Sequence, residues 1–258
     1  MKKQSLYQCI SGAVLLVLGL ILVAVTRGAA IAEGAESASK MPFALSLILA
    51  LVGLVVLVTS LLPERKPVNV RTLAMAALFA ALCYIGFTYF RIDIPVGTEK
   101  TAFHLGNVFC VLAALFLGGM WGGLAGAVGM TLADLTTAYV TSAPKTFLLK
   151  LCIGLIAGVV AHKCFHISKE KAERKLSLPV AVVLSCAAGM AFNIVADPLV
   201  GYFYKTYVLG VPQEFAKVWA KMGAVTTSVN AVVAVVCATV FYLALRPALK
   251  KARLLPEV

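Results

Sequence analysis

The chain has 258 residues, 61% of them apolar and 13% charged, with a mean hydropathy of +0.96. No water-soluble globular domain of ordinary composition carries that balance, so the solvent is a bilayer. The formal charge of +12 does not point to nucleic acid, because Lys and Arg stand at the ends of apolar stretches, where they set topology and meet lipid headgroups.

Lipid satisfies no backbone polar group, so a spanning segment is either a helix of about 20 apolar residues or a strand of a closed barrel. The long unbroken apolar runs exclude a barrel, whose strands alternate in hydropathy. In chain order the runs predict membrane helices over 7–25, 42–62, 70–90, 104–117, 119–140, 147–165, 178–204 and 225–245. Lys2 and Lys3 ahead of the first run, with Ala30-Ile31-Ala32 after it, also fit a cleaved leader. The run is nevertheless long enough to span, and a second span follows closely. Residues 1–66 therefore read as an accessory N-terminal transmembrane hairpin. It ends at Pro63-Glu64-Arg65-Lys66-Pro67, whose prolines cannot continue a helix. Residues 67–258 carry the remaining six helices.

Assigning loops alternately to the two sides puts more than half of the 23 Lys and Arg on one side, among them Lys2, Lys3, Arg65, Lys66, Arg71, Lys163, Lys169, Arg246 and Lys250. The richer side is cytoplasmic by the positive-inside rule. Both termini are then inside and the loop 91–100 outside, in a multi-pass protein of the cell membrane.

Small residues recur at intervals of four. Gly118, Gly122 and Gly126 form one series, Gly119 and Gly123 a second, and Gly154 and Gly158 a third. A face without side-chain bulk lets another backbone approach closely. Ala76/Ala80 and Ala77/Ala81 repeat the pattern in the helix 70–90; they fit either internal packing or the docking of a partner helix.

A charge inside a span costs roughly 2.5–3.5 kcal/mol, so each needs a partner or a task. Asp134, Lys150 and Asp197 stand out well inside predicted spans, all toward the outer half. Either Lys150 forms a structural ion pair with a carboxylate, or the three border an outward-facing cavity and orient a polar ligand. Asn107, Tyr139, Lys145, Asn193, Tyr202 and Trp219 fall in the same layer, and the outer loop adds Phe90 and Asp93. Aromatic groups there serve as interface anchors or as ligand contacts. His104, at the outer start of the helix 104–117, is a helix-end group or a ligand contact. Pro198 frees the carbonyl near Ile194 and predicts a kink beside Asp197.

Catalytic signatures are missing. No Gly-Lys dipeptide occurs, which excludes the phosphate-cradling loop, and there is no H-E-x-x-H or G-x-S-x-G. His162 and His166 lie i, i+4 with lysines beside them and no acidic third ligand, and read as loop residues. The seven cysteines include no Cys-x-x-Cys pair and read as apolar filler. The reading is a protein that is not an enzyme, with no catalytic residue, metal or cofactor.

His104-Leu105-Gly106-Asn107, Leu112-Ala113-Ala114-Leu115-Phe116-Leu117-Gly118-Gly119, Gly122-Gly123-Leu124-Ala125-Gly126, Ala133-Asp134-Leu135 and Pro144-Lys145-Thr146-Phe147-Leu148-Leu149-Lys150 together resemble the S component of energy-coupling factor (ECF) transporters, well over 71–166 and loosely over the last two spans. The resemblance implies an all-α membrane protein with a six-helix bundle, here preceded by two extra helices. It implies capture of a water-soluble vitamin or precursor from outside, powered by a membrane coupling subunit and two ATPase subunits. Its docking motif matches Ala76/Ala80 or Ala77/Ala81, its lid matches 91–100, and its ligand region matches Asn107, Asp134, Lys150, Asn193 and Asp197. The polar set suits a small heteroaromatic such as hydroxymethylpyrimidine or pyridoxine. The residues alone leave open an autonomous secondary transporter of a small polar metabolite, with Asp134 and Asp197 relaying protons.

Overall fold

The computed structural model describes residues 69–254 except 98, 170–175 and 253, together with Val14 and Leu18. The predicted spans 7–25 and 42–62, and with them the accessory hairpin, lie outside the described residues. Those described fall into two units, one holding Leu199–Ala220, the other running up to Pro198 and resuming at Lys221.

Helix α1 (Val70–Thr88) starts where the Asn69 side chain accepts from Arg71 N–H at 3.0 Å, a side-chain cap on an otherwise unsatisfied donor. The segment expected as an outer loop is instead an antiparallel β-hairpin, β1 (Arg91–Val96) paired with β2 (Glu99–His104) from Arg91↔His104 to Val96↔Glu99. Gly97, with φ 62°, makes the turn. His104 thus ends a strand and does not open a helix.

Helix α2 (Gly106–Leu135) is continuous in name only. Gly118 has φ 79° and ψ 173°, a conformation open essentially to glycine alone, and divides it into arms 106–117 and 119–135. The arms fold back on each other. A Cβ on Gly122 would strike the Ala114 backbone, one on Gly126 the Cys110 sulfur, and one on Gly106 the Met130 sulfur. Each pair straddles Gly118 symmetrically, as an antiparallel helical hairpin requires. The two predicted spans 104–117 and 119–140 correspond to these arms.

A short 3₁₀ turn (Val140–Ser142) leads into α3 (Ala143–Val159), with Pro144 in its first turn and a π turn at Val160–Cys164. Then come α4 (Leu178–Phe203) and α5 (Gln213–Lys251). The last helix is far longer than the predicted 225–245, because polar flanks such as Glu214 and Lys217 extend it beyond the apolar stretch. Pro198 lies inside α4, which runs on past it. Among the described residues five helices are long and apolar enough to cross a membrane; with α2 divided, they make six helical segments. The protein is an all-α, multi-pass membrane protein carrying one small β-hairpin.

The glycine series sort by neighbour. Gly122 and Gly126 face the first arm of α2, whereas Gly119 and Gly123 meet the α3 backbone at Leu155 and Leu151. From the other side, Gly154 meets Gly123 and Gly158 meets Gly119. Backbone-to-backbone approach on two faces of the arm 119–135 fixes the bundle centre. Around it the core is apolar, with Phe116 packed 5.9 Å from Phe79 and 4.7 Å from Tyr242 between ring centroids.

Within the π turn, His162 shares hydrogen bonds with Ser168 Oγ (2.6 Å) and the Ala114 carbonyl (3.2 Å), and beyond it Arg246 donates to the Ile167 carbonyl at 3.0 Å. His162 therefore ties a helix end to the neighbouring arm, and His166 takes the left-handed φ of 53°. Cys83, Cys110, Cys152, Cys164, Cys186 and Cys237 are free thiols.

Candidate functional site

Chain direction brings one set of helix ends together. The arm 106–117 leaves the β-hairpin, the arm 119–135 returns to the same end, and α3 starts there. This end collects the polar side chains that the apolar helices carry.

Asp197 on α4 bonds at both oxygens: Lys145 Nζ lies 2.9 Å from Oδ1, and Thr227 of α5 donates to Oδ2 at 3.1 Å. Asp134, 3% exposed in the last turn of α2, accepts a short hydrogen bond from Thr146 Oγ1 on α3. Lys150 stands one turn after Thr146 on the same helix face. It is buried, and its ammonium forms no hydrogen bond or ion pair with the described residues. Asp197, Lys145 and Asp134 all lie within its electrostatic reach. Of the two readings of Lys150, the ion-pair role falls to Lys145.

Asn107 and Asn193 are buried, and the Oδ1 of each has no donor. His104 lies against Phe87, at 4.7 Å between ring centroids, and Phe87 packs edge-on against Tyr139 at 5.5 Å. The Arg91 guanidinium stands 5.4 Å from the Phe87 ring centre and 5.3 Å from that of Tyr139. The imidazole of His104 is held neutral, its pKa lowered to about 3 by burial and then by the Lys150 cation. Its Nδ1 is buried without a partner.

The β-hairpin is fastened on two sides. From α5, Asn230 accepts from His104 N–H at 3.0 Å and donates to the Ala102 carbonyl at 2.9 Å, and Thr226 and Thr101 share a 2.7 Å hydrogen bond. On the other strand Asp93 takes a salt bridge from Arg91 at 2.7 Å and a hydrogen bond from Tyr139 OH at 3.1 Å. Burial, and then the Asp93 carboxylate, push the Tyr139 phenol well above its usual range.

Two further expected site residues have surroundings of their own. Phe90 is 58% exposed at the end of α1, and only its backbone joins the structure, as an acceptor for Leu105 N–H at 3.3 Å. Trp219 belongs to the Leu199–Ala220 unit, where the Lys205 ammonium lies 4.2 Å from its ring centre and Phe215 packs against it; Tyr202 of the same unit packs on Phe203.

Sequence reading missed Phe87, Thr146, Thr226, Thr227 and Asn230. The α5 trio had a signal: with Ser228 they make four hydrogen-bonding side chains within five residues of an apolar stretch. Thr146 had less, since threonine in a membrane helix commonly bonds its own backbone.

The two alanine pairs of α1 differ in exposure. Ala76 is buried, and the Ala80 carbonyl lies where a Cβ on Gly129 would fall, so that pair packs inward. Ala77 and Ala81 are exposed, with Leu73, Leu78 and Ile85 on the same outer face.

Among the described residues no group of three His, Cys, Asp or Glu is arranged to hold a metal ion. What the layer offers is binding chemistry: an unengaged ammonium donor, two amide oxygens and an aromatic wall. No significant match was found among curated proteins or among solved structures. The family model described as "ECF-type riboflavin transporter, S component" matches residues 67–247, most of the chain and the helices described above up to the last turn of α5, and the chain belongs to that family.

Proposed function

We propose that this chain is the substrate-capturing subunit of a vitamin importer. It takes a small heteroaromatic vitamin or precursor from outside into the layer of Asn107, Asp134, Lys150, Asn193 and Asp197. The β-hairpin with Asp93, His104 and Tyr139 covers that layer. Phe90 and Trp219 are assigned to the interface belt. The observation that carries this reading is a pair of buried amides, Asn107 and Asn193, whose Oδ1 atoms have no donor, in a layer that also buries Lys150, where apolar side chains would be cheaper to insert. Riboflavin, named in the family description, joins pyridoxine and hydroxymethylpyrimidine as a candidate.

The chain supplies binding only. Transport follows docking on a membrane coupling subunit driven by two ATPase subunits, with both termini of this chain in the cytoplasm. The exposed Ala77/Ala81 face of α1 is the assigned docking surface, since small residues admit a partner helix closely.

Uptake of labelled riboflavin or pyridoxine is measured in cells supplying the coupling module. Ala77→Leu is expected to cut uptake at least tenfold and leave the affinity of the purified protein unchanged. Undiminished uptake in Ala77→Leu and Ala81→Leu would remove the docking assignment. Uptake that persists without the ATPase subunits and collapses with the proton gradient would establish the autonomous transporter instead.

A further inference from the structure

Helices α4 and α5 are longer than a membrane requires, and part of the excess lies at the end where they join. About 20 apolar residues cross the hydrocarbon; α4 with the π turn Tyr204–Val208 has 31 residues and α5 has 39. The apolar stretch of α5 begins at Val225, and Phe215 precedes it in the same helix. At 1.5 Å per residue Phe215 stands roughly 15 Å beyond that stretch, whereas the headgroup zone on each side is only about 5–7 Å deep. The joint is a built unit, Leu199–Ala220. Gly210 takes φ 71° at the turn, and the N–H groups of Leu209 and Val211 donate to the Tyr204 and Lys205 carbonyls at 3.1 and 3.0 Å. The Lys205 ammonium, 4.2 Å from the Trp219 ring centre, ties the two helices together. Even so, Val208, Phe215 and Val218 remain 53%, 60% and 52% exposed. Within the hydrocarbon such exposure is lipid contact. At the level of Phe215 lipid tails do not reach, and an apolar patch there needs a protein cover.

With both termini cytoplasmic, as proposed above, the joint and the loop 26–41 between the predicted spans 7–25 and 42–62 emerge on the same outer side. That loop carries Ala29, Ala30, Ile31 and Ala32, followed by Glu33 and Glu36. The joint carries Lys205 and Lys217 against a single acid, Glu214, which lies 2.9 Å from Lys217. Small apolar residues with two carboxylates complement an apolar face of surplus positive charge. Covalent attachment through residues 42–68 also raises the loop's effective concentration at the joint. We infer that the tip of the accessory N-terminal hairpin, residues 28–39, docks on Leu199–Ala220. Ile31 and its flanking alanines cover Val208, Phe215 and Val218, and Glu33 and Glu36 face Lys205 and Lys217. The two extra spans thereby brace the outer ends of α4 and α5, whatever molecule the chain captures.

The test uses the full-length protein in lipid nanodiscs and in intact cells. A water-soluble carbodiimide joins a carboxylate to an ammonium in direct contact. It is expected to link Glu33 or Glu36 to Lys205 or Lys217 within one chain, as read by mass spectrometry of the digested product, with the Glu214–Lys217 pair as internal control. In intact cells Phe215→Cys should react with a membrane-impermeant maleimide at least tenfold more slowly than the same cysteine combined with Glu33→Lys/Glu36→Lys. Adding Lys205→Glu/Lys217→Glu to that combination should restore the slow rate. The parent chain without the added cysteine is the blank. Thermal melting verifies that each variant is folded, and the carbodiimide result on the unaltered chain decides the matter if the charge-reversed variant is not. Equal labelling rates with and without charge reversal, or a Glu214–Lys217 link with none from Glu33 or Glu36, overturns the inference. Links found only between two chains would assign the face to a second copy, and slow labelling that becomes fast in detergent micelles would assign its cover to lipid; either result overturns it as well.

Discussion

Lys145 Nζ lies 2.9 Å from Asp197 Oδ1, joining the first turn of α3 to α4 across the polar layer. Thr227 donates to the other carboxylate oxygen, so three helices meet at one side chain. Removing one partner of a buried pair leaves the other charge uncompensated, a loss of roughly 3–5 kcal/mol at full burial. The Asp197 side chain keeps 25% of its area exposed, so Lys145→Met is expected to cost about 2–3 kcal/mol. Thermal unfolding in detergent measures it. The double variant Lys145→Met/Asp197→Leu should lose less than Asp197→Leu and Lys145→Met summed; full additivity would show that the pair is not coupled.

The glycine contacts give a contrast within one residue type. At Gly158 a Cβ would strike the Gly119 backbone, and at Gly154 that of Gly123, neither able to yield as a flexible side chain would. Gly154→Val and Gly158→Val should each lower stability by more than about 3 kcal/mol by overpacking. In α5 a Cβ on Gly223 would meet nothing within 4 Å, so Gly223→Ala should be neutral or stabilising by about 0.5–1 kcal/mol. Equal melting temperatures for Gly154→Val and Gly223→Ala would contradict the packing described.

The strand β1 is held to Tyr139 through Asp93, whereas β2 is held to α5 through Asn230. Deleting the phenol oxygen loosens only the first attachment. Tyr139→Phe is expected to raise the dissociation rate of a bound vitamin at least about tenfold, corresponding to roughly 1.5 kcal/mol for one hydrogen bond to a charged acceptor. Stopped-flow or filter-binding chase experiments read this rate. An unchanged rate would mean that the hydrogen bond to Asp93 does not hold the hairpin closed.

His104 sets a pH dependence. Its folded-state pKa of about 3 lies below the ordinary value of 6.5, so between those values the unfolded state binds more protons. Stability is then fully present above about pH 6.5 and falls as pH drops toward 3, by at most about 1.4 kcal/mol per unit. Melting temperatures between pH 7 and pH 4.5 should decline, and His104→Gln should flatten that slope. A parent slope retained in His104→Gln would assign the acid sensitivity to another group.

Much of the bundle was legible in the amino-acid order, and the reasons differ by element. The runs at 70–90, 147–165 and 178–204 became α1, α3 with its π turn, and α4 with only end corrections, because hydropathy summed over about 20 residues is a local property. The hairpin at 91–104 was read as a loop, since Arg, Asp, Pro, Glu and Lys obscure strand alternation and its pairing is fastened by Asn230, distant in sequence. For the candidate site, Asp134, Lys150 and Asp197 stood out as charges within apolar runs. Thr146 and Thr227, which bond the two carboxylates, did not, because a threonine carries no such penalty.

The sequence by itself determined the solvent, the number of helical segments over residues 70–251 and the glycine positions, since each follows from composition within one or two helix turns. Tertiary structure decided which glycine series faces which neighbour, which lysine meets Asp197, and which alanine pair of α1 stays outside. Those outcomes depend on the rotation of each helix about its axis. A rotation of about 100° separates adjacent residues of a helix, so Ala76 and Ala77, or Lys145 and Thr146, exchange partners through an angle that no local property of the chain records.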